Sequence, residues 1–334
     1  MDKTITSFTD EALARRRAML RTAFGPAIAE ALSDNQVVEV MVNPDGRLWI
    51  DRLDTGRSDT GTILQWSEAE RIIRLVASHI RLEVHDRSPI VSAELPDTGE
   101  RFEGLIPPVA PAPCFSIRKP AKRVHRLSDY VEQSIMPPQV ADSLKEAVAA
   151  KANIIVVGGT SSGKTTLVNA LLAEVAATLD RVVILEDTRE LNCAAEDCVT
   201  LRTKPGLVSL ADLVRSTMRL RPDRIIVGEV RGAEALDMLK AWNTGHPGGL
   251  ATVHANSARG ALYRIEQLVQ ECVVTVPRRL IAEAIDLLVF LEGRGASRKV
   301  TEVAKVEGLT LDGDYQLTPV FSQQHSATTH RSTP

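Results

Sequence analysis

The feature that most constrains this chain is an octapeptide, Gly158-Gly159-Thr160-Ser161-Ser162-Gly163-Lys164-Thr165. It fits G-x-x-x-x-G-K-[ST] and stands between the apolar run Ile154-Ile155-Val156-Val157 and a helical pattern from Thr166 to Leu179. Glycines let such a loop curl until its backbone N–H groups and the helix N-terminus face a phosphate. Lys164 adds a cation near the β- and γ-oxygens, and the Thr165 hydroxyl can hold Mg²⁺. The residues expected to touch nucleotide are therefore Gly158, Gly159, Thr160, Ser161, Ser162, Gly163, Lys164, Thr165 and Thr166. ATP with Mg²⁺ is the expected substrate, since no N-K-x-D segment argues for guanine.

A phosphate loop of this kind belongs on a strand of a parallel sheet, and the rest of the chain offers its partners. Val182-Val183-Ile184-Leu185, Ile225-Ile226-Val227 and the run from Leu250 to Val253 are short and continuously apolar, as strands buried on both faces are. A further β run spans Leu287 to Leu291, and Lys299 to Leu309 with Tyr315 to Phe321 flank Asp312-Gly313 as a terminal hairpin. Upstream the pattern differs. Leu13, Leu20, Phe24, Ile28 and Leu32 have helical spacing, Val37 to Val42 and Arg47 to Asp51 surround a turn at Asn43-Pro44-Asp45-Gly46, and Ser67 with Glu70 resembles a capping box for a second helix. β-type pieces follow near Ile90, Phe102 and Phe115. The expected fold is α/β: a smaller α+β domain over 1–117, a basic linker over 118–136, a phosphate-loop domain with a mostly parallel sheet over 137–322, and a disordered polar tail over 323–334. Two domains suit 334 residues.

Hydrolysis needs an oriented water and positive charge on the transferred phosphate. Glu229 ends the Ile225–Val227 run, in a strand expected beside the phosphate-loop strand, and is the candidate for orienting or deprotonating water. The residue before it is Gly228, where an aspartate commonly serves the metal. Glu186 and Asp187, at the end of the 182–185 run, are the alternative carboxylates, with Asp187 facing Mg²⁺ directly or through water; Asp187 could equally cap a turn. Ser209 and Asp212 form a capping box for a helix expected to carry Arg215 and Arg219 on one face. Those arginines are either a solvated face or the cations for hydrolysis across a subunit boundary. His254 closes the 250–253 run, where ligands of open α/β sheets bind, and could sense the γ-phosphate.

Composition narrows the classes. Forty Lys and Arg against 43 Asp and Glu leave a net charge of −3, and aromatics are 4%. That gives little for tracking or stacking nucleic acid over the whole surface. Cys114, Cys193, Cys198 and Cys272 form no C-x-x-C pair and read as reduced, mostly buried thiols. No apolar run approaches the roughly 18 residues of a membrane span, and Met1-Asp2-Lys3-Thr4 leads into polar sequence, so a cytoplasmic chain is expected.

Taken in order, the phosphate loop at 158–165, the acidic box at Glu186 to Glu190, the segment Leu220 to Arg231 containing Gly228-Glu229, and the His box at Gly245 to His254 resemble the secretion (traffic) ATPase superfamily. The run Arg101 to Pro108, with Ser116-Ile117-Arg118-Lys119, is similar to its type IV secretion branch, of the conjugal-transfer kind. The resemblance covers most of the chain. It implies a RecA-like second domain, hexamers with ATP at the domain junction, and Arg101 and Arg118 approaching the phosphates from the first domain. It further implies inner-membrane components of a type IV secretion or conjugation apparatus as partners, with the chain peripheral at the inner membrane. Two other readings of the same motifs stay open: a DNA-translocating RecA-like motor that binds nucleic acid itself, and a nucleotide-gated scaffold.

Overall fold

The structure, a computed structural model, describes residues 3–96, 99–120, 125–204 and 206–323. The chain divides into two compact units, Met1–Lys122 and Arg123–Pro334.

In the first unit, helix α1 (Lys3–Ser33) breaks at Gly25, whose φ of 66° and the following Pro26 interrupt the helical ladder. Strands β1 (Val37–Val42), β2 (Arg47–Arg52) and β3 (Gly56–Ile63) precede helix α2 (Trp66–His79), and β4 (Ile90–Glu94), β5 (Arg101–Leu105) and β6 (Cys114–Arg118) follow. They make one antiparallel sheet in the order β3-β2-β1-β6-β5-β4. Leu20, Phe24 and Ile28 of α1 pack with Ile72, Ile73 and Val76 of α2 and the inward residues of the strands. The cap of α2 is two residues earlier than Ser67 suggested: the Gln65 N–H donates to the Glu68 carboxylate at 2.8 Å.

The second unit holds α3 (Leu127–Glu132), α4 (Pro138–Ala149), β7 (Ile154–Gly158), α5 (Lys164–Val175), β8 (Val182–Glu186), β9 (Cys198–Arg202), α6 (Leu210–Thr217), β10 (Arg224–Val227), α7 (Glu234–Asn243), β11 (Leu250–Val253), α8 (Ala258–Gln270), α9 (Arg278–Ala284), β12 (Leu287–Glu292), β13 (Lys299–Leu309) and β14 (Tyr315–Ser322). The sheet order is β14-β13-β12-β7-β11-β10-β8-β9. The six strands from β12 to β9 are parallel, and β13 and β14 form the expected antiparallel hairpin. Alternate residues feed two cores. Ile155, Val157, Ile225 and Val253 meet α6 to α9, while Ile154, Val156, Ile184 and Ile226 meet α3, α4 and α5. This is why the strand sequences are apolar throughout.

Several expectations change. The linker is shorter than 118–136, because Arg118 ends β6 and Leu127, Tyr130 and Met136 are buried in the second core; residues 121–124 lie outside the described residues. Helix α5 starts at Lys164 and ends at Val175, where the Thr178 hydroxyl donates to the Val175 carbonyl, so Leu179 is fully exposed. Strand β11 lies between β7 and β10, so the Glu229 strand is not the direct neighbour of the phosphate-loop strand. The cysteines are free as expected, but three are half-buried and Cys272 is exposed. The tail lies outside the described residues beyond 323.

The two ends of the parallel strands differ in kind. At the N-terminal ends, Asn153 bonds Ala284 and Gly249, its own N–H reaches Asp286, and Arg224 pairs with Asp180. The C-terminal ends carry the phosphate loop, Glu186, Glu229 and His254.

Candidate nucleotide site

The loop after β7 has the conformation a phosphate cradle needs. Gly163 is the N-cap of α5 with φ of 92°, and Ser161 also has positive φ, 61°, so successive N–H groups turn toward one side. Lys164 is buried, and its Nζ donates back to the Gly159 carbonyl at 3.0 Å. Gly159, Thr160 and Ser161 are exposed, Thr165 and Thr166 are half-buried, and Ser162 is 3% exposed with no protein partner for its hydroxyl.

Because β11 separates β7 from β10, His254, which follows β11, stands between Lys164 and Glu229. Lys164 Nζ lies 3.3 Å from His254 Nε2 and 3.4 Å from Nδ1, and His254 Nε2 lies 3.2 Å from Glu229 Oε1. The structure thus places Lys164, His254 and Glu229 in one row along the C-terminal edge of the sheet. Glu229 and His254 are part-exposed, open to solvent from which water and nucleotide come.

The other acids are placed differently from expectation. Glu186 is 2% exposed; its Oε1 accepts from the N–H groups of Glu190 at 2.8 Å and Leu191 at 2.7 Å, holding the loop after β8. Burial pushes its pKa up, opposed by these two donors. A Cβ at Gly228 would stand 3.5 Å from Glu186 Cγ, so the glutamate side chain fills the space beside the glycine. Asp187, expected to face Mg²⁺, has both oxygens engaged: Oδ1 accepts from Thr203 Oγ1 at 2.7 Å, and Oδ2 is ion-paired with Arg231. Arg231 was not among the sequence candidates; only the fold brings it to Asp187.

The arginines also move. Helix α6 has the expected Ser209–Asp212 box, with the Asp212 N–H donating to Ser209 Oγ at 3.2 Å, but it ends at Thr217. Arg219 therefore lies beyond the helix and does not share a helical face with Arg215, whose Nη2 pairs with Asp237 of α7 at 2.8 Å. Arg101 and Arg118 are brought together. They are opposite each other across β5 and β6, both exposed, in a row that continues to Glu94 on one side and Glu39 on the other. Spacing in sequence gave no sign of that register.

A Mg²⁺ ion keeps several waters and takes one or two protein ligands plus substrate phosphates. The donors at this edge, a half-buried Thr165 at the start of α5 and a part-exposed Glu229 carboxylate, fit such an ion and would not form an all-protein cage.

Comparison with known proteins gives the family of the chain. The family model described as "Type II/IV secretion system protein" matches residues 23–291. The conjugal transfer protein TrbB of Rhizobium radiobacter is 50% identical over 291 residues, covering 86% of this chain and 90% of its own. The type IV secretion system protein PtlH of Bordetella pertussis is 33% identical, with 83% of this chain and 93% of its own covered. Among solved structures, the pilus retraction motor PilT with bound ADP shares the fold at a TM-score of 0.59 and 16% identity, over 91% of this chain and 83% of that one. A sheet that aligns a phosphate-loop lysine, a histidine and a glutamate on one edge thus sits in a chain that belongs to the type II/IV secretion system protein family.

Proposed function

We propose that this chain is the ATPase of a type IV secretion or conjugal transfer apparatus, cleaving ATP to ADP and phosphate in a RecA-like second domain. The observation that carries the reading is the row Lys164, His254, Glu229 beside the phosphate loop. The loop N–H groups and Lys164 hold the β- and γ-phosphates. On nucleotide binding, Lys164 exchanges its bond to the Gly159 carbonyl for phosphate oxygens. Glu229 orients the attacking water and takes its proton, and His254, between the two charges, hydrogen-bonds the γ-phosphate or Glu229 according to which is present. Thr165 would hold Mg²⁺, which would supply positive charge against the phosphates.

The domains proposed are the N-terminal α+β domain and the phosphate-loop domain, joined by a short basic linker. Arg101 and Arg118 would supply cations from the first, and Arg215 or Arg219 from a neighbouring subunit. A site needing more cations than one phosphate loop provides is a reason for a ring, and a hexamer peripheral to the inner membrane on its cytoplasmic side is the assembly we propose. Among the described residues no helix is long and apolar enough to cross a membrane, so attachment there would be through components of the apparatus.

The test is phosphate release from ATP and Mg²⁺ per subunit as protein concentration rises, with Lys164→Ala as blank. Specific activity that climbs cooperatively supports a site completed between subunits. Activity independent of concentration contradicts the ring. Activity of the blank equal to that of wild type contradicts the site itself.

A further inference from the structure

The turn between β12 and β13 holds an arginine that the mechanism above does not use. Strand β12 pairs in parallel with β7, Leu291 opposite Gly158, so the chain leaving β12 passes beside the phosphate loop. The turn is tightly built. Gly293 has φ of 79°, a Cβ on it would stand 2.3 Å from the Ser297 carbonyl oxygen, and the Ser297 hydroxyl and N–H both donate to the Arg294 carbonyl, at 2.8 and 3.0 Å. On the far side, the Val300 N–H donates to the Ile135 carbonyl at 2.8 Å. Arg298 is fixed between these anchors.

Its guanidinium lies directly on Gly163. A Cβ at Gly163 would stand 2.6 Å from Arg298 Cζ, 2.6 Å from Nε and 2.9 Å from Nη1, so the contact exists only because that residue is glycine. Arg298 Nε is buried with no protein acceptor, and so is the hydroxyl of Ser162 on the neighbouring residue of the loop. Two orphan donors therefore flank Gly163, and an unmade bond from a buried donor is costly. The charges add to this. Arg298 and Lys164 both sit at the N-terminus of the 12-residue helix α5, the positive end of its dipole. A guanidinium held there by its backbone anchors is unfavourable alone and favourable once an anion lies in the loop.

We propose that Arg298 is a nucleotide-binding residue of this chain, donating from its guanidinium to a phosphate oxygen of the nucleotide in the loop of the same subunit. The inference rests on the phosphate-loop reading above. It gives the site a second cation without a neighbouring subunit, and so a share of affinity independent of assembly.

The experiment is equilibrium titration of the full chain with fluorescently labelled ADP, comparing wild type, Lys164→Ala, Arg298→Met and Arg298→Lys. Methionine keeps an apolar stem to pack on Gly163 and loses the charge; lysine keeps the charge and loses the fork. Arg298→Met is expected to weaken ADP about tenfold to a hundredfold, as loss of a charge-assisted bond does, with Arg298→Lys in between. ADP binding by Arg298→Met equal to wild type overturns the proposal, and so does Arg298→Lys no better than Arg298→Met. If wild type and Lys164→Ala bind ADP alike, the phosphate-loop reading itself has failed, a distinct outcome that takes the proposal with it.

Discussion

Asp180→Asn should loosen the second unit at the end of the sheet away from the nucleotide. Arg224 is 1% exposed; its Nε lies 2.7 Å from Asp180 Oδ2, and its other nitrogens reach only the carbonyls of Val148 and Gly248. Lys151 Nζ holds the second oxygen at 2.6 Å. Burial of Asp180, 14% exposed, raises its pKa, but the bonds from Lys151 and Arg224 outweigh it and bring the carboxyl from 3.8 down to about 2. That difference corresponds to about 2.4 kcal/mol at neutral pH. Leaving a buried arginine unpaired is independently worth about 3–5 kcal/mol. A loss of roughly 2–4 kcal/mol is expected. Urea unfolding followed by Trp242 emission, in a Trp49→Phe, Trp66→Phe background, reads it, because Trp242 is buried in this unit while the other two belong to the first. A depressed folded pKa gives stability that is complete above the unfolded value and drains away as pH falls through the folded one. The gap between wild type and variant should therefore be full above about pH 5 and shrink between about pH 4 and 2. A loss under about 1 kcal/mol, or the same loss in an Arg224→Met background, would refute the argument.

Three further outcomes are expected. Glu229→Gln should lower turnover about 10²- to 10⁴-fold while ADP affinity stays within about threefold, measured by phosphate release and nucleotide titration; unchanged turnover would remove Glu229 from the water-orienting role. Asp187→Ala should leave the Mg²⁺ concentration for half-maximal activity within about twofold, since both its oxygens already serve Thr203 and Arg231; a large rise would restore it as a metal ligand. Gly249→Ala should cost about 1–3 kcal/mol in thermal unfolding, because its Cβ would stand 2.1 Å from the Trp242 ring, and an unshifted transition would count against that packing.

What the sequence made legible follows from burial. Strands β7, β8, β10 and β11 are covered on both faces, so their residues read as unbroken apolar runs. Strands β3 and β9 are edge strands, the first largely exposed and the second mostly half-buried, and had no such run to mark them. The phosphate loop was readable because its chemistry is local. Strand order was not: that β11 enters between β7 and β10, putting His254 between Lys164 and Glu229, depends on pairing segments far apart in the chain. The partners of Asp187 were illegible for a related reason, since Thr203 and Arg231 come from other elements. Arg219 looked helical by spacing, but α6 stops two residues short of it. The pairing of Arg101 with Arg118 is a matter of register, which two strands settle only when aligned.

The opposite characters of the two sheet edges have a genetic consequence. Asn153, Asp180, Arg224 and Asp286 clamp the edge where the parallel strands begin, and lesions among them should lower the amount of folded protein in the cell. Lesions at the other edge, in Lys164, His254 or Glu229, touch polar groups of the nucleotide site rather than the apolar cores, and should leave normal amounts of an inert chain. Alleles of the first kind would be recessive, rescued by any intact copy. Alleles of the second kind would compete with the intact copy for whatever places it fills, and in a co-expressing strain would dominate it.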